Sequence, residues 1–231
     1  MKRLLTLILS SLLCLIVLNA QNRDFQKELY IGVNAGALSS RMDFNPSIPQ
    51  TLNVGIHGGV SAKYISEKHL GVIAEINYSQ RGWKEDFPEE SGFAYSRTLN
   101  YVEVPFMTHI YFGRSTRFII NAGPQISFLL NDNQNMNTAL AEDLEERRAA
   151  NPDSRIGYQY SPFSEKKRVE YGLVGGIGME LQTGIGVFDI EGRYYFGLGD
   201  LFTSRRTDNA YFFRSAHRLI EAKLSYYIKV R

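Results

Sequence analysis

Lys63, Glu75, Arg81, Glu103, Glu180, Asp189, Glu191, Arg193, Glu221 and Lys223 all fall on the polar beat of short alternating segments. Carboxylates in the company of His57, His69, His109 and His217 are the raw material of acid–base and nucleophilic chemistry. A serine–histidine–acid triad needs three groups converging on one site, and no signature spacing around these histidines marks one. The histidines lack metal-ligand spacing too, with no His-Glu-x-x-His and no carboxylates clustered around them. Gly176-Ile177-Gly178 hints at a phosphate cradle, but Leu181 stands where a dinucleotide fingerprint needs its third glycine, and the alternation runs straight through it. Glycine there makes room for sheet curvature and for bulky neighbours. The expectation is therefore no catalytic, cofactor-binding or metal-ligating residue, and no cofactor. If the charges share one narrow lumen, they must pair with one another or with trapped water; a proton or ion path is the functional alternative.

The elements that would carry these side chains are strands. From Leu29 onward apolar and polar residues alternate with period two. Ile31, Val33, Ala35 and Ala37 oppose Gly32, Asn34 and Gly36; Val54, Ile56, Val60 and Tyr64 oppose His57, Gly59, Ser61 and Lys63; Val72, Ala74, Ile76 and Tyr78 oppose Glu75, Asn77, Ser79 and Arg81. Val102, Val104, Phe106 and Ile110 oppose Tyr101, Glu103, Met107 and His109, and Phe118, Ile120, Ala122, Ile126 and Phe128 oppose Asn121, Gly123, Gln125 and Ser127. Three more segments set Val169, Tyr171 and Leu173 against Glu170 and Gly172, Phe188, Ile190 and Tyr194 against Asp189, Glu191 and Arg193, and Ile220, Ala222 and Leu224 against Glu221 and Lys223. That makes eight, the even number that a closed up-and-down barrel requires. Pro105 and Pro124 interrupt two of the segments and are expected to mark bulges.

A soluble barrel alternates as well, with its apolar face inward. The spacing of the segments chooses between them: connections after the first, third, fifth and seventh are long, and those after the second, fourth and sixth are a few residues. Outer-membrane barrels have long external loops and short periplasmic turns. The fold expected is thus all-β, an eight-stranded antiparallel transmembrane barrel occupying residues 21–231.

Residues 1–20 read as a signal peptide: Lys2 and Arg3 precede the apolar run Leu4–Leu18, which is short for a membrane helix, and Ala20 precedes Gln21 at a cleavage point. Leu13 before Cys14 is not the small residue of a lipoprotein signal. Cys14 is the only cysteine, so the mature chain holds no thiol, which excludes disulfides and thiolate chemistry. Without Lys2 and Arg3 the 26 basic residues fall to 24, equal to the 24 acidic ones. No basic field points to nucleic acid.

The longest connection, 131–167, carries a helix signal over Thr138–Ala150, with Leu140/Leu144 and Asp143/Arg147 at i,i+4 and Asn151-Pro152 as a stop. Tyr158, Tyr160, Phe163, Tyr211, Phe212 and Phe213 load the outer loops, alongside Phe87, Phe93, Tyr95 and Phe202. They form either a recognition surface or the packing that holds the loops together.

Glu75-Ile76-Asn77-Tyr78-Ser79-Gln80-Arg81-Gly82, Tyr101-Val102-Glu103-Val104-Pro105-Phe106, Asn121-Ala122-Gly123-Pro124 and Arg193-Tyr194-Tyr195-Phe196-Gly197-Leu198 resemble the PorT-like outer-membrane β-barrel family of Gram-negative bacteria, a porin-family group. The resemblance covers nearly the whole mature chain and implies an eight-stranded barrel. It implies no particular activity; the namesake is linked to protein secretion and surface display. One departure is the ending Ile228-Lys229-Val230-Arg231, which has Tyr226 and Tyr227 upstream in place of a terminal aromatic. The reading is a non-enzymatic envelope protein, exported to the outer membrane and in contact with its lipid. Its loops engage an envelope or secretion-system protein. A small transport component and a membrane-embedded lipid-modifying enzyme are the alternatives.

Overall fold

The alternating segments become eight long strands in the computed structural model, which describes residues 25–151, 157–160, 168–202 and 211–230. The expected signal peptide, 1–20, lies outside the described residues. The strands are β1 (Glu28–Asn45), β2 (Asn53–Glu67), β3 (Leu70–Glu85), β4 (Tyr95–Gly113), β5 (Thr116–Met136), β6 (Val169–Thr183), β7 (Gly186–Gly197) and β8 (Arg214–Lys229). Each pairs antiparallel with the next, and β8 returns to β1 from Tyr30↔Lys229 to Asn45↔Arg214, so the sheet closes. Through the part of the barrel that all eight strands share, closure leaves no edge open, the condition for a sheet to cross hydrocarbon.

Short turns gather at one end of the barrel and long loops at the other. Lys68-His69, Arg114-Ser115 and Gly184-Ile185 make the turns, with His69 at φ 74° and Gly113 and Gly186 at φ 121° and 147°. The apolar beat points outward: Ile31, Val60, Ile76, Phe106, Ile126, Leu173, Ile190 and Leu224 are all exposed, and the polar beat is buried within. Gly176 shows why small residues recur on the inner face, since a Cβ there would collide with the Glu191 carboxylate and the Arg193 stem.

Neither proline makes a bulge. Pairing of β3 with β4 lapses opposite Pro105 between Ala74↔Phe106 and Asn77↔Glu103, and that of β4 with β5 lapses opposite Pro124 between Pro105↔Gln125 and Thr108↔Ala122. Both ladders resume in the same register. The missing N–H therefore costs a local gap and no extra residue. The bulge in β5 lies elsewhere: Tyr101 faces Leu129 but Asn100 faces Asn131, which leaves Leu130 as the additional residue.

The strands also outrun their expected ends. β1 continues past Leu38 to Asn45, β5 past Leu130 to Met136, and β4 starts at Tyr95, so the loop expected from 131 begins after Met136 and Tyr95 belongs to a strand. In these extensions the period persists while the polarity of the two faces inverts: Met42, Phe44, Trp83 and Leu99 point inward, and Arg41 and Lys84 point out. Such an inversion is what a wall standing in water beyond a lipid belt requires, its apolar face turned to the interior as in a soluble barrel.

Candidate functional site: a charged lumen under an aromatic cap

All ten lumen residues singled out above are buried. Near the turn end Lys63 donates from β2 to two carboxylates across the barrel, Glu180 Oε2 at 2.5 Å and Asp189 Oδ2 at 3.0 Å, with its Nζ 4.1 Å from the Tyr227 ring centre. Arg117 holds the other oxygen of Glu180 at 2.9 Å. Deeper in the barrel Arg193 makes a two-pronged contact with Glu75, at 2.8 and 2.9 Å, and a third bond to Glu191 at 2.8 Å on its own strand. Lys223 also binds Glu75. Glu221 is Arg193's register partner, yet among the described residues it forms no ion pair, and its Oε1 has no hydrogen bond. Towards the loops Arg81 lies 3.4 Å from Glu103 and 3.6 Å from Glu170, stacked 3.8 Å over the Tyr101 ring.

Amides and imidazoles fill the gaps between these pairs. Asn34 donates to Asn77 and Asn77 to Glu75 Oε2, while Asn121 donates to Glu191 Oε1. His109 Nδ1 lies 2.7 Å from Asn121 Oδ1, and His217 Nδ1 lies 2.8 Å from Glu170 Oε2. His57 faces the lumen with Nε2 unbonded, and His69 sits in its turn against the Tyr111 carbonyl. Among the described residues no serine hydroxyl bonds a histidine, and no set of three His, Asp or Glu side chains is placed to hold a metal.

Sequence reasoning placed Glu170 on the polar beat but left it out of the charge set, and it passed over Arg117, Arg97 and Asp132. Glu170 and Arg117 were within reach, because each lies on the same beat as its neighbours Glu180 and Asn121. Asp132 was not: the Leu130 bulge shifts the phase of β5, so an even-numbered residue points inward there and meets Arg97 at 2.7 Å. Arg97 also donates to the Gln159 carbonyl at 2.6 Å, tying the long loop to the wall.

Over the charges sits an apolar lid built from Met42, Phe44, Trp83, Tyr95, Leu99, Leu129, Leu201, Phe202 and Phe212. Helix α1 (Thr138–Ala150) lies on it through Leu140 and Leu144, while Asp143 and Arg147 pair at 2.8 Å on its exposed side. Asn137 caps the helix by accepting from Leu140 N. Trp83 meets Phe44 edge-on at 5.3 Å, and Tyr160 meets Tyr95 at 4.5 Å while donating its hydroxyl to Glu85 at 2.7 Å. Burial, and then the adjacent Glu85 carboxylate, raise the Tyr160 pKa above its ordinary value.

The candidate loop-recognition aromatics are divided by this lid. Phe212 is fully buried beneath Tyr211 and Phe202, which removes it from any recognition surface. Tyr158, Tyr160 and Tyr211 pack partly against the lid, and Phe213 alone of the described members is largely exposed, at 60 %. Phe163 lies outside the described residues.

A family model described as outer membrane protein beta-barrel domain matches residues 19–203. No curated protein matches the chain. Among solved structures it is similar to Ail, the attachment invasion locus protein of Yersinia pestis, at 13 % identity over 87 % of this chain and 99 % of that one, with a TM-score of 0.42. It is similar to Neisserial surface protein A at 12 % identity, 87 % and 99 % coverage and 0.45, and to OprG of Pseudomonas aeruginosa at 11 %, 87 % and 95 %, and 0.46.

Proposed function

The chain belongs to the outer membrane protein beta-barrel domain family, and from that premise we propose that it is a non-enzymatic envelope component working through its outer loops, with a lumen that serves structure. We take residues 1–20 to be removed on export and the PorT-like group to be the branch in question. The observation that supports this reading is the filling of the interior. Eight strands enclose a space just wide enough for side chains. Here that space is occupied by cross-lumen ion pairs and stoppered by the Trp83–Phe44–Phe212 lid. Activity is thereby moved to the outside, where α1, Phe213 and the loop rims are available to a second envelope or secretion-system protein.

Planar-bilayer recording and affinity isolation from crosslinked envelopes test this together. The expected result is no unitary conductance and one stoichiometric protein partner, lost when the exposed face of α1 is recharged. Steady single-channel currents would replace the proposal with the transport reading. A change in lipid A or phospholipid mass that depends on the protein would replace it with the enzymatic one. The transport reading has one observation of its own: Glu221 Oε1, His57 Nε2, Ser61 Oγ and Asn34 Oδ1 are buried polar atoms on the inner face without a protein hydrogen bond, places where water could relay a proton.

A further inference from the structure

We propose that the outer wall of the barrel, where β1 meets β8, carries a site for the phosphate of an outer-leaflet amphiphile. The lipid-facing beat of β1, Ile31-Val33-Ala35-Ala37, continues into Ser39, Arg41 and Asp43; that of β8, read upward through Leu224 and Ile220, continues in phase into Arg218 and Ala216, both buried, and half-buried Arg214. The register sets Ser39 opposite Ile220, Arg41 directly opposite Arg218, and Asn45 opposite Arg214. Like charges facing each other across a ladder weaken a sheet, so this pairing is not explained by the stability of the wall.

Asp43 offsets part of the charge, accepting from Arg218 Nη2 at 2.9 Å and Arg214 Nε at 3.0 Å. Arg218 is further fixed by the carbonyls of Gly197 and His217 and by stacking 3.7 Å over the Phe196 ring. Arg41 is exposed and, among the described residues, its side chain has no hydrogen bond or ion pair. Among the described ion pairs these three guanidinium groups have one carboxylate, Asp43, which meets two of them and leaves Arg41 without one.

The geometry beside them is that of a cleft. A cavity of about 460 Å³ is lined by Arg41, Asp43, Ser47, Gln50 and Arg218, a size typical of small-ligand sites. Its loop side is held in place, because the Gln50 amide bonds both the N–H and the carbonyl of Met42, at 3.0 and 2.8 Å. A planar guanidinium fork with free donors suits a phosphate, whose oxygens accept two parallel bonds. Immediately below, Leu52, Val54 and Ile220 are among the most exposed apolar side chains of the molecule. A head group held by Arg41 would lay its acyl chains on them. The cleft lies at the loop end of the barrel, so the lipid is one of the external leaflet, a phosphorylated glycolipid.

The test uses the full mature chain in detergent and native mass spectrometry, with three probes: bis-phosphorylated lipid A, the same lipid A stripped of phosphate, and inorganic phosphate. The expected result is retention of phosphorylated lipid A, with the stripped lipid and Arg41→Gln each weakening it by roughly tenfold or more, the value of one charge-assisted bond to phosphate. The heat-modifiable gel shift reports folding of the variant. If Arg41→Gln fails to show it, Arg41→Lys, which keeps the charge but loses the fork, should give the same order of weakening. Equal retention of the phosphorylated and stripped lipids would overturn the proposal, as would folded variants indistinguishable from the parent. Inorganic phosphate binding as tightly as lipid A would assign the site to a soluble anion and overturn the lipid.

Discussion

Replacing Arg193 with methionine removes three charge-assisted hydrogen bonds from a place that water does not reach. The two acids it leaves behind are not equivalent. Glu75 keeps Lys223 and the Asn77 amide; Glu191 keeps the Asn121 amide but no ion pair among the described residues. Breaking a buried pair by deleting one partner costs about 3–5 kcal/mol because the survivor is uncompensated. With one of two acids still neutralised, the expected loss is about 3–4 kcal/mol. A second change, Glu191→Gln, should return about 1–3 kcal/mol as coupling. Glu75→Gln should return less, since it strands Lys223 in turn. Asp132→Asn, which belongs to the Arg97 pair in the lid, should add to Arg193→Met within roughly 0.5 kcal/mol. Urea refolding into detergent micelles, followed by the heat-modifiable gel shift, measures all of these. An Arg193→Met loss under about 1 kcal/mol, or additivity with both Glu75 and Glu191, would mean that the guanidinium is hydrated and the packed lumen is wrong.

Ile190→Arg should destabilise the membrane-inserted barrel by about 2–4 kcal/mol, and Leu52→Arg, at the outer rim, by about 0–1 kcal/mol; equal costs would contradict the depth assigned to these two exposed residues. Trp83→Ala empties the centre of the lid and should cost about 3–5 kcal/mol, read by denaturant midpoint in liposomes. Because Trp83 is the only tryptophan, its emission reports the lid directly: it should be blue-shifted and shielded from acrylamide, and a red, quenchable spectrum would show an open mouth. The Tyr160–Glu85 contact adds a pH dependence. A tyrosine whose folded pKa is raised contributes stability that is complete below its unfolded pKa of about 10 and is lost as pH rises towards the folded value. Denaturant midpoints taken between pH 9 and 11 should therefore fall faster for the parent than for Tyr160→Phe, and parallel curves would show that the hydroxyl is already in water.

Which residues face the lumen was legible because period two survives wherever one face meets lipid, and Ile76 out with Asn77 in needs no partner strand to be inferred. The pairings across the lumen were not. Arg193 had Glu191, Glu221, Glu75 and Glu103 within plausible reach, and the choice of Glu75 and Glu191 over its own register partner Glu221 depends on side-chain reach across a closed ring, which no local pattern encodes. The lid was hidden for a different reason. Its residues keep the same alternation with inverted polarity, so Met42, Phe44 and Trp83 look like ends of strands until the wall is seen to continue beyond the lipid. Phe212 reads as a loop aromatic from its neighbours and becomes core only once β8, the 198–202 segment and α1 meet above the barrel.

The charged interior has a cause that precedes any function. A lumen this narrow has to be filled, and apolar side chains would fill it at less desolvation cost than Lys63, Arg81 or Arg193. With lipid-facing residues already apolar, however, an apolar lumen would turn every strand into an uninterrupted hydrophobic run. Such a run is aggregation-prone in water and unlike the weak alternating signal of an exported barrel strand. Placing charges on alternate residues keeps each segment amphipathic during transit, and pairing them across the ring settles their charge after closure. The inversion above the lipid belt agrees with this account. Where the outer face no longer has to be apolar, at Arg41 and Lys84, the inner face becomes Met42 and Trp83, and the ion pairs thin, among the described residues, to the single Arg97–Asp132 contact within a mostly hydrophobic lid. A network selected in this way owes its composition to the solvent on the other side of the wall. Its conductance should therefore be nil even though its charges are many, and the loops above it are where binding is to be measured.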